Sequence, residues 1–354
     1  MTNAAHPAKP QAHGYPVLAG HEARGRALPE FASVDVGVPT LGTSPYIVEA
    51  IESVFAQTVG SWTLTVSENG PGDARLRQQL EPYLLDARVR HLVTGERVSV
   101  GANHTRLLRV GEAPYVAILH DDDRWGPSFL ERSIAFLEQH PSCAYVFSGH
   151  LLIDERGRVV GRSPLPLKPG VHSASDVLPR LYERNFIAPP TVVVRRDAYA
   201  ALGAAYKEIL FCDHEMWLRL LTQGDVGCLE MWEAEYRLHP LQTSSRKRLE
   251  FAERQFEVIE ATWDLPIPSR VRRRALAMAH ARCALDLVEL AEGRRALGHV
   301  RRALTSDPFA SLRPSVAARI AAALGALALG HRGRETLARQ RLRRYHTRGS
   351  KPVP

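Results

Sequence analysis

Short apolar segments alternate with amphipathic, helix-like segments along this chain from Val34 onward. Such alternation is typical of a largely parallel sheet covered by helices, because consecutive parallel strands need a long crossover between them. Ser44 and Pro45 are expected to begin the first helix, and Asp73 is expected to cap the second. Strands are expected at residues 34–38, 62–67, 89–93, 115–119, 144–148, 191–194 and 226–229. The pattern therefore predicts an α/β domain.

Three adjacent aspartates, Asp121, Asp122 and Asp123, stand directly after the apolar segment 115–119. At the end of a buried strand their mutual repulsion is incompletely screened, so a cation or strong hydrogen bonds must offset it. Oxygen ligands favour magnesium, manganese or calcium over zinc, and open α/β sheets bind ligands beyond the carboxyl ends of their strands. The triplet therefore favours metal-assisted chemistry on a phosphate compound. The alternative is a solvated acidic turn in which Asp123 caps the next helix.

Positive charge is concentrated in the last ninety residues. Residues 265–354 hold 19 Lys and Arg against 5 Asp and Glu, so the net charge of +8 leaves −6 on residues 1–264. Helices are expected at 271–290, 294–306 and 314–329. The arginines would attract an anionic membrane surface, although a solvated helical bundle explains the same charges. Nucleic acid is not an expected partner, because stacking aromatics and known binding motifs are missing.

The first thirty residues and the cysteines indicate the cellular compartment of the protein. Residues 1–30 are rich in Ala, Pro, His and Gly and lack a signal-peptide core, which predicts a disordered leader. The four cysteines are widely spaced and form no CxxC pair, which argues against a zinc site or a disulfide framework. Reduced thiols indicate a cytoplasmic protein, with peripheral contact at the inner membrane face left open.

Five short motifs follow one another through the predicted α/β domain. They are Val36-Gly-Val-Pro-Thr40 with the helix 46–58, Thr65-Val-Ser-Glu-Asn-Gly70, Leu119-His-Asp-Asp-Asp-Arg-Trp125, Cys212-Asp-His-Glu-Met-Trp-Leu-Arg219 and Tyr236-Arg-Leu-His-Pro-Leu-Gln-Thr-Ser244. In this order they resemble the motifs of the family 2 glycosyltransferases, which are nucleotide-sugar enzymes of the GT-A fold. The resemblance covers about residues 34–245. It implies a GT-A domain at 31–264, with a mixed, mainly parallel sheet and flanking helices, before a C-terminal α-helical domain at 265–354.

Two positions depart from the family pattern. Glu68 replaces a common aspartate and keeps an acceptor for the ring N–H of the donor base. His120 stands at the first acidic position of the block that ends at Trp125. This departure leaves Asp122 as the best metal ligand, with Asp121 and Asp123 supporting it or contacting ribose.

The resemblance also implies the remaining donor contacts. Pro39 and Thr40 would bind base and ribose together with Glu68, whereas Asn103 and Arg106 would reach the diphosphate. His239 is implied as a ligand of the diphosphate or the metal. A satisfied loop histidine is the alternative for His239.

The general base is expected on a helix about ninety residues beyond the acidic triplet. The resemblance assigns this role to Asp213, for which a helix N-cap is the alternative. Glu215 is a competing base, although two residues along a helix it points in another direction. Trp217 and Arg219 are expected to support the same pocket.

These implications predict a glycosyltransferase that uses Mn²⁺ or Mg²⁺ and a UDP-, dTDP- or GDP-sugar. The acceptor would be a hydroxyl group of a glycan, a lipid-linked saccharide or a natural product, and the family tendency is inversion. A nucleotidyltransferase of related fold is one rival, but its usual glycine-rich, basic phosphate loop is missing from Pro39–Pro45. A non-catalytic basic adaptor is the other.

Overall fold

The computed structural model describes residues 34–240, 242, 248–307, 309 and 313–337. Ten strands form one mixed sheet. The strands are β1 Val34–Thr40, β2 Trp62–Glu68, β3 Val89–Val93, β4 Tyr115–Ile118, β5 Arg124–Trp125, β6 Cys143–Ile153, β7 Val159–Arg162, β8 Gly170–His172, β9 Val192–Arg195 and β10 Asp225–Arg237. Their order across the sheet is β3-β2-β1-β4-β9-β6-β10-β5, with β7 beside β6 and β8 beside β10.

Parallel pairing dominates the first half of the sheet. β1 lies parallel to β2 and to β4, and β2 lies parallel to β3. β9 is antiparallel to both β4 and β6, whereas β6 and β10 are parallel. Since β1, β2 and β4 run the same way, their carboxyl ends meet at one edge of the sheet. This is the edge where an open α/β sheet binds its ligand.

Helices flank the sheet and continue beyond it. They are α1 Ile47–Phe55, α2 Ala74–Leu80, α3 Val100–Val110, α4 Phe129–Gln139, α5 Ala174–Glu183, α6 Arg196–Ala201, α7 Cys212–Leu220, α8 Arg248–Arg254, α9 Glu257–Ala261, α10 Ser269–Glu289, α11 Gly293–Ser306 and α12 Pro314–Ala328. Residues 330–337 are also helical. None of the helices in these described segments is long and apolar enough to cross a bilayer.

The predicted fold class is confirmed: a mainly parallel mixed sheet with flanking helices is followed by a helical region. All seven predicted strands are present, and β6 and β10 extend well beyond their predicted ends. β5, β7 and β8 were not predicted, because each has at most four residues and lacks the continuous apolar run that marks β4 and β9. The four cysteines are buried and free, as expected.

Two helix starts show why local signals succeed or fail. The Asp73 side chain accepts hydrogen bonds from the backbone N–H groups of Arg75 and Leu76, so the predicted cap of α2 is confirmed. The predicted start of α1 at Ser44 and Pro45 is wrong, since the helix begins at Ile47. The Ser44 hydroxyl instead donates to the backbone oxygen of Asp121, 2.9 Å away. A contact distant in sequence has taken the place of a cap.

The long helix α10 belongs to two hydrophobic clusters. Its first half buries Val271, Ala275 and Ala279 in the cluster that contains Trp217 of α7 and the strands β6 and β9. Its second half packs with α11 and α12 in a separate cluster. The C-terminal helices are therefore attached to the sheet through buried apolar surface. The domain boundary at residue 264 stays a prediction.

Candidate functional site

The carboxyl ends of β1 and β4 are joined through Asp121. The Thr40 hydroxyl at the end of β1 donates to Oδ2 of Asp121 at 2.5 Å, and Thr40 Oγ1 accepts from the backbone N–H of Gly42 at 3.0 Å. Burial, and then the neighbouring charge of Asp122, raises the pKa of Asp121 to about 7. The first loop of the sheet is thereby held against the acidic triplet.

Asp122 faces the motif that follows β10. His239 Nε2 lies 3.0 Å from Asp122 Oδ2, and the ring of Tyr46 packs edge-on against the His239 ring at 5.0 Å. Burial opposes ionisation of Asp122, but the hydrogen bond from His239 and the nearby His120 hold its pKa below the ordinary value. The Nδ1 atom of His239 is buried and finds no hydrogen-bond partner among the described residues. The predicted pairing of these two motifs in space is present.

Asp123 is the most deeply buried member of the triplet. Its Oδ1 accepts from the backbone N–H of Arg237 at 2.9 Å, whereas its Oδ2 is buried and has no hydrogen-bond partner in the described part of the chain. Burial, reinforced by the charge of Asp122, raises the pKa of Asp123 well above the ordinary value. The alternative that Asp123 caps the next helix is wrong, because α4 begins at Phe129.

Three side chains in this region can converge on one cation. His120, Asp122 and Asp123 each offer a ligand atom, and these atoms lie within 4.8 Å of one another. His120 Nδ1 is 3.9 Å from Asp123 Oδ2, the buried oxygen that lacks a partner. A buried carboxylate oxygen without a hydrogen bond is costly unless a cation or donor satisfies it. The two carboxylates suit manganese or magnesium, whereas the imidazole is a softer ligand that fits manganese better than magnesium.

The cluster differs from the predicted ligand set in three residues, because it includes His120 and lacks Asp121 and His239. His120 was read as a departure from an acidic pattern, yet its ring nitrogen lies where a ligand would be needed. Its position immediately before the three aspartates was the available signal. Asp121 is turned toward Thr40 and is not part of the convergent group. His239 contacts the group through Asp122.

The predicted donor residues lie at or near the ends of β1 and β2. Glu68 is buried at the end of β2, and its Oε2 is 3.0 Å from His91 Nε2. Pro39 is part of β1, next to Thr40. The Asn103 side chain is already hydrogen-bonded to Ser67 of β2, which ties α3 to the sheet.

Arg106, one turn further along α3, has a buried Nη1 with no hydrogen-bond partner among the residues described. A buried guanidinium nitrogen without an acceptor suits an anionic ligand. Asn103 and Arg106 were both predicted to reach the diphosphate. The Asn103 side chain is occupied by Ser67, whereas Nη1 of Arg106 has no partner in the described segments.

Asp213 lies in the first turn of α7, one residue inside the helix start. The alternative of an N-cap is wrong, because α7 begins at Cys212 and is preceded by Phe211. Burial raises the pKa of Asp213, and the nearby His120 partly offsets this effect.

The other candidates on α7 point elsewhere. Glu215 is fully buried and forms an ion pair with Arg219, whose guanidinium also contacts Asp264 at 2.8 Å. Trp217 is buried in the core and its ring lies 6.0 Å from that of Tyr145. The structure does not bring these three side chains together with Asp213. They hold the helix in place.

Comparisons with known proteins bear on the α/β domain that carries these residues. Residues 35–203 match the model of glycosyl transferase family 2. TuaG of Bacillus subtilis, a protein named as a teichuronic acid biosynthesis glycosyltransferase, is 26% identical over 245 residues, covering 65% of this chain and 92% of that protein. An uncharacterized glycosyltransferase of Methanocaldococcus jannaschii is 22% identical over 195 residues. That match covers 54% of this chain and 66% of the archaeal protein, just under two thirds of its length.

Two solved structures share the fold. Residues 1–349 of TarS from S. aureus, in complex with UDP-GlcNAc, superpose with a TM-score of 0.57 at 16% identity, over 71% of this chain and 72% of that one. The mannosyltransferase PcManGT from Pyrobaculum calidifontis, in complex with GDP-Man and Mn²⁺, gives a TM-score of 0.55 at 15% identity, over 86% and 83% of the two chains. At these identities the likeness shows the fold alone.

Proposed function

We propose that this chain is a glycosyltransferase of family 2, and that it moves a sugar from a nucleoside-diphosphate donor to an acceptor hydroxyl in polysaccharide biosynthesis. The observation that carries the proposal is the group of His120, Asp122 and Asp123 at the ligand-binding edge of the sheet. The names of TuaG, TarS and PcManGT, and the nucleotide sugars in the two structures, support this reading.

The acidic group would hold Mn²⁺ or Mg²⁺ between protein and diphosphate. Asp122 and Asp123 supply the carboxylate oxygens, and His120 supplies an imidazole nitrogen. When bound, such a cation stabilises the negative charge that develops on the departing diphosphate. His239 keeps Asp122 oriented, and its buried Nδ1 is free to contact the diphosphate.

The donor would lie across the ends of β1, β2 and α3. Thr40 and Pro39 would line the ribose site, and Glu68 would accept a hydrogen bond from the base. Asp121 fixes the loop after Thr40 through its hydrogen bond with the Thr40 hydroxyl. Arg106 would pair with a phosphate oxygen. We propose a UDP-, dTDP- or GDP-sugar, since the neighbours were solved with UDP-GlcNAc and GDP-Man.

Asp213 would remove the proton of the acceptor hydroxyl as that oxygen attacks the anomeric carbon. Its raised pKa favours this role, because a base is most effective when its pKa approaches the working pH. Direct attack by the acceptor predicts inversion. A cytoplasmic location suits a nucleotide-sugar donor and remains part of the proposal.

Thermal-shift titration tests the donor and metal together. We expect a UDP-, dTDP- or GDP-sugar to raise the unfolding temperature when Mn²⁺ is present, because ligand binding to the folded state stabilises it. The shift should vanish in Asp122→Asn and persist in Asp197→Asn, an exposed aspartate outside the site. Equal shifts with and without metal would reject the metal site, and no shift with any nucleotide sugar would reject the transferase proposal.

A further inference from the structure

Helix α11 presents one exposed face that alternates arginine with leucine. Arg294, Leu297, Arg301 and Leu304 are three, four and three residues apart, which places them on the same side of a helix. Leu297 is 50% exposed and Leu304 is 44% exposed.

The opposite side of α11 packs against the two neighbouring helices, α10 and α12. Ala296, Val300 and Ala303 are buried in the apolar cluster that α11 forms with α10 and α12. The exposed leucines are therefore not needed to fill that cluster. Single exposed leucines are ordinary, but two exposed leucines that alternate with arginines on one helix face form an amphipathic surface.

The charges on this face have one sign. Neither α11 nor α12 contains an acidic residue. Arg294 and Arg301 pair with no carboxylate in the described segments, in contrast with Arg295 on the adjoining side of α11, which pairs with Glu253. The arginines of the stripe are thus available to phosphate groups.

We propose that this basic-apolar face, made of Arg294, Leu297, Arg301 and Leu304, binds the surface of an anionic phospholipid bilayer. The leucines would enter the boundary between headgroups and acyl chains, and the arginines would contact lipid phosphates. A nucleic acid would leave the leucines in water. The proposal is independent of which sugar the enzyme transfers.

Vesicle flotation with the full chain tests the face. Wild-type protein should float at low salt with vesicles that contain phosphatidylglycerol, and remain at the bottom with phosphatidylcholine alone. Replacing both arginines by Gln should weaken binding about fivefold per residue. Replacing both leucines by Ser should weaken it about tenfold or more, since burial of each side chain is lost.

Matched controls use exposed residues of the same types elsewhere. Leu85→Ser removes a leucine that is 89% exposed, and Arg75→Gln removes an exposed arginine of α2. Both should float like wild type, and all variants should retain the nucleotide-sugar thermal shift, which separates this proposal from the proposed function. Failure of wild type to float, equal losses in the controls, or a change of oligomeric state in the face variants by light scattering would overturn the proposal.

Discussion

At the scale of single residues, Arg237 joins the acidic triplet to the start of α1 while being completely buried. Its side chain donates to the backbone oxygen of Asp122 at 2.8 Å and to Glu49 of α1 at 2.7 Å. Its guanidinium lies 4.2 Å from the centre of the Tyr46 ring. Together with its backbone contact to Asp123, this network holds the acidic triplet against α1.

Arg237→Lys should weaken metal activation while leaving nucleotide contacts in place. Lysine is a point charge and cannot make several directed hydrogen bonds at once, so Asp122 would lose its fixed orientation. We expect the Mn²⁺ concentration for half-maximal rate to rise about tenfold or more, with a smaller change in donor KM. Arg156→Lys, at an exposed position, is the control. An unchanged Mn²⁺ dependence would show that Arg237 serves stability only.

Asp213→Asn should retain donor binding and lower kcat by on the order of a hundredfold or more, the usual scale for loss of a general base. Donor binding can be followed by thermal shift, and kcat by release of the nucleoside diphosphate. Glu215→Gln should lower stability instead, because it breaks the buried pair with Arg219. A near-normal kcat in Asp213→Asn would transfer the role of base to another group.

Asp122→Ala should abolish metal-dependent turnover, since it removes a central ligand of the convergent group and frees His239. The rate should not recover at higher Mn²⁺ concentration. Asp197→Ala is again the matched control. Metal-dependent turnover at more than a few per cent of the wild-type rate would contradict the assignment.

At the scale of secondary structure elements, α7 is tied to α5 by His214, whose Nε2 contacts the backbone oxygen of Leu181 at 2.8 Å. Burial lowers the pKa of His214 to about 4. Its folded pKa is thus below the unfolded value of about 6.5. The neutral ring therefore stabilises the fold above pH 6.5, and this contribution is lost as the pH falls toward 4.

His214→Gln should reduce the loss of stability on acidification, because Gln can donate the same hydrogen bond and does not titrate. Between pH 6.5 and 5 the variant should lose on the order of 1–2 kcal/mol less than wild type in urea unfolding. His331→Gln, at an exposed position of the last helical segment, is the control. The same pH slope in wild type and His214→Gln would reject the buried, neutral state of this ring.

Helices and strands could be predicted from the sequence where their hydrophobic pattern runs long enough to show a period. The strand at Val89–Val93 and the helices α10 to α12 agree with prediction to within two residues, because strand and helix periods are both visible in the sequence. The two-residue strand β5 has no such period. The start of α1 moved to Ile47 because Ser44 hydrogen-bonds to Asp121, a contact that local statistics cannot contain.

The same distinction applies to the site. A resemblance between motifs predicted roles for Asp122, His239 and Asp213, since each stands in a short segment of recognisable spacing, and those roles stay predictions. The part played by His120 and the buried network of Arg237 depends on which side chains meet after folding. The spacing of residues in the sequence does not show which side chains come into contact in the folded protein.

At the scale of the whole molecule, the helical region and the sheet should unfold together. Ala275 of α10 is 3% exposed and belongs to the cluster that also contains residues of β6 and β9. Ala275→Asp buries an unpaired charge there and should lower stability by several kcal/mol, whereas Arg273→Asp, on the exposed side of α10, should change it little. Calorimetry should show one transition in wild type that shifts as a unit in Ala275→Asp. Two separate transitions, with the sheet unaffected, would indicate independent domains.

The continuity of α10 also has a geometric consequence. One rigid rod of 21 residues, about 30 Å long, is rooted in the sheet at one end and carries α11 and α12 at the other. Because α11 packs against the second half of α10, the exposed face of α11 is rigidly connected to the sheet. A surface bound by that face would therefore hold the reaction centre in one fixed orientation toward it.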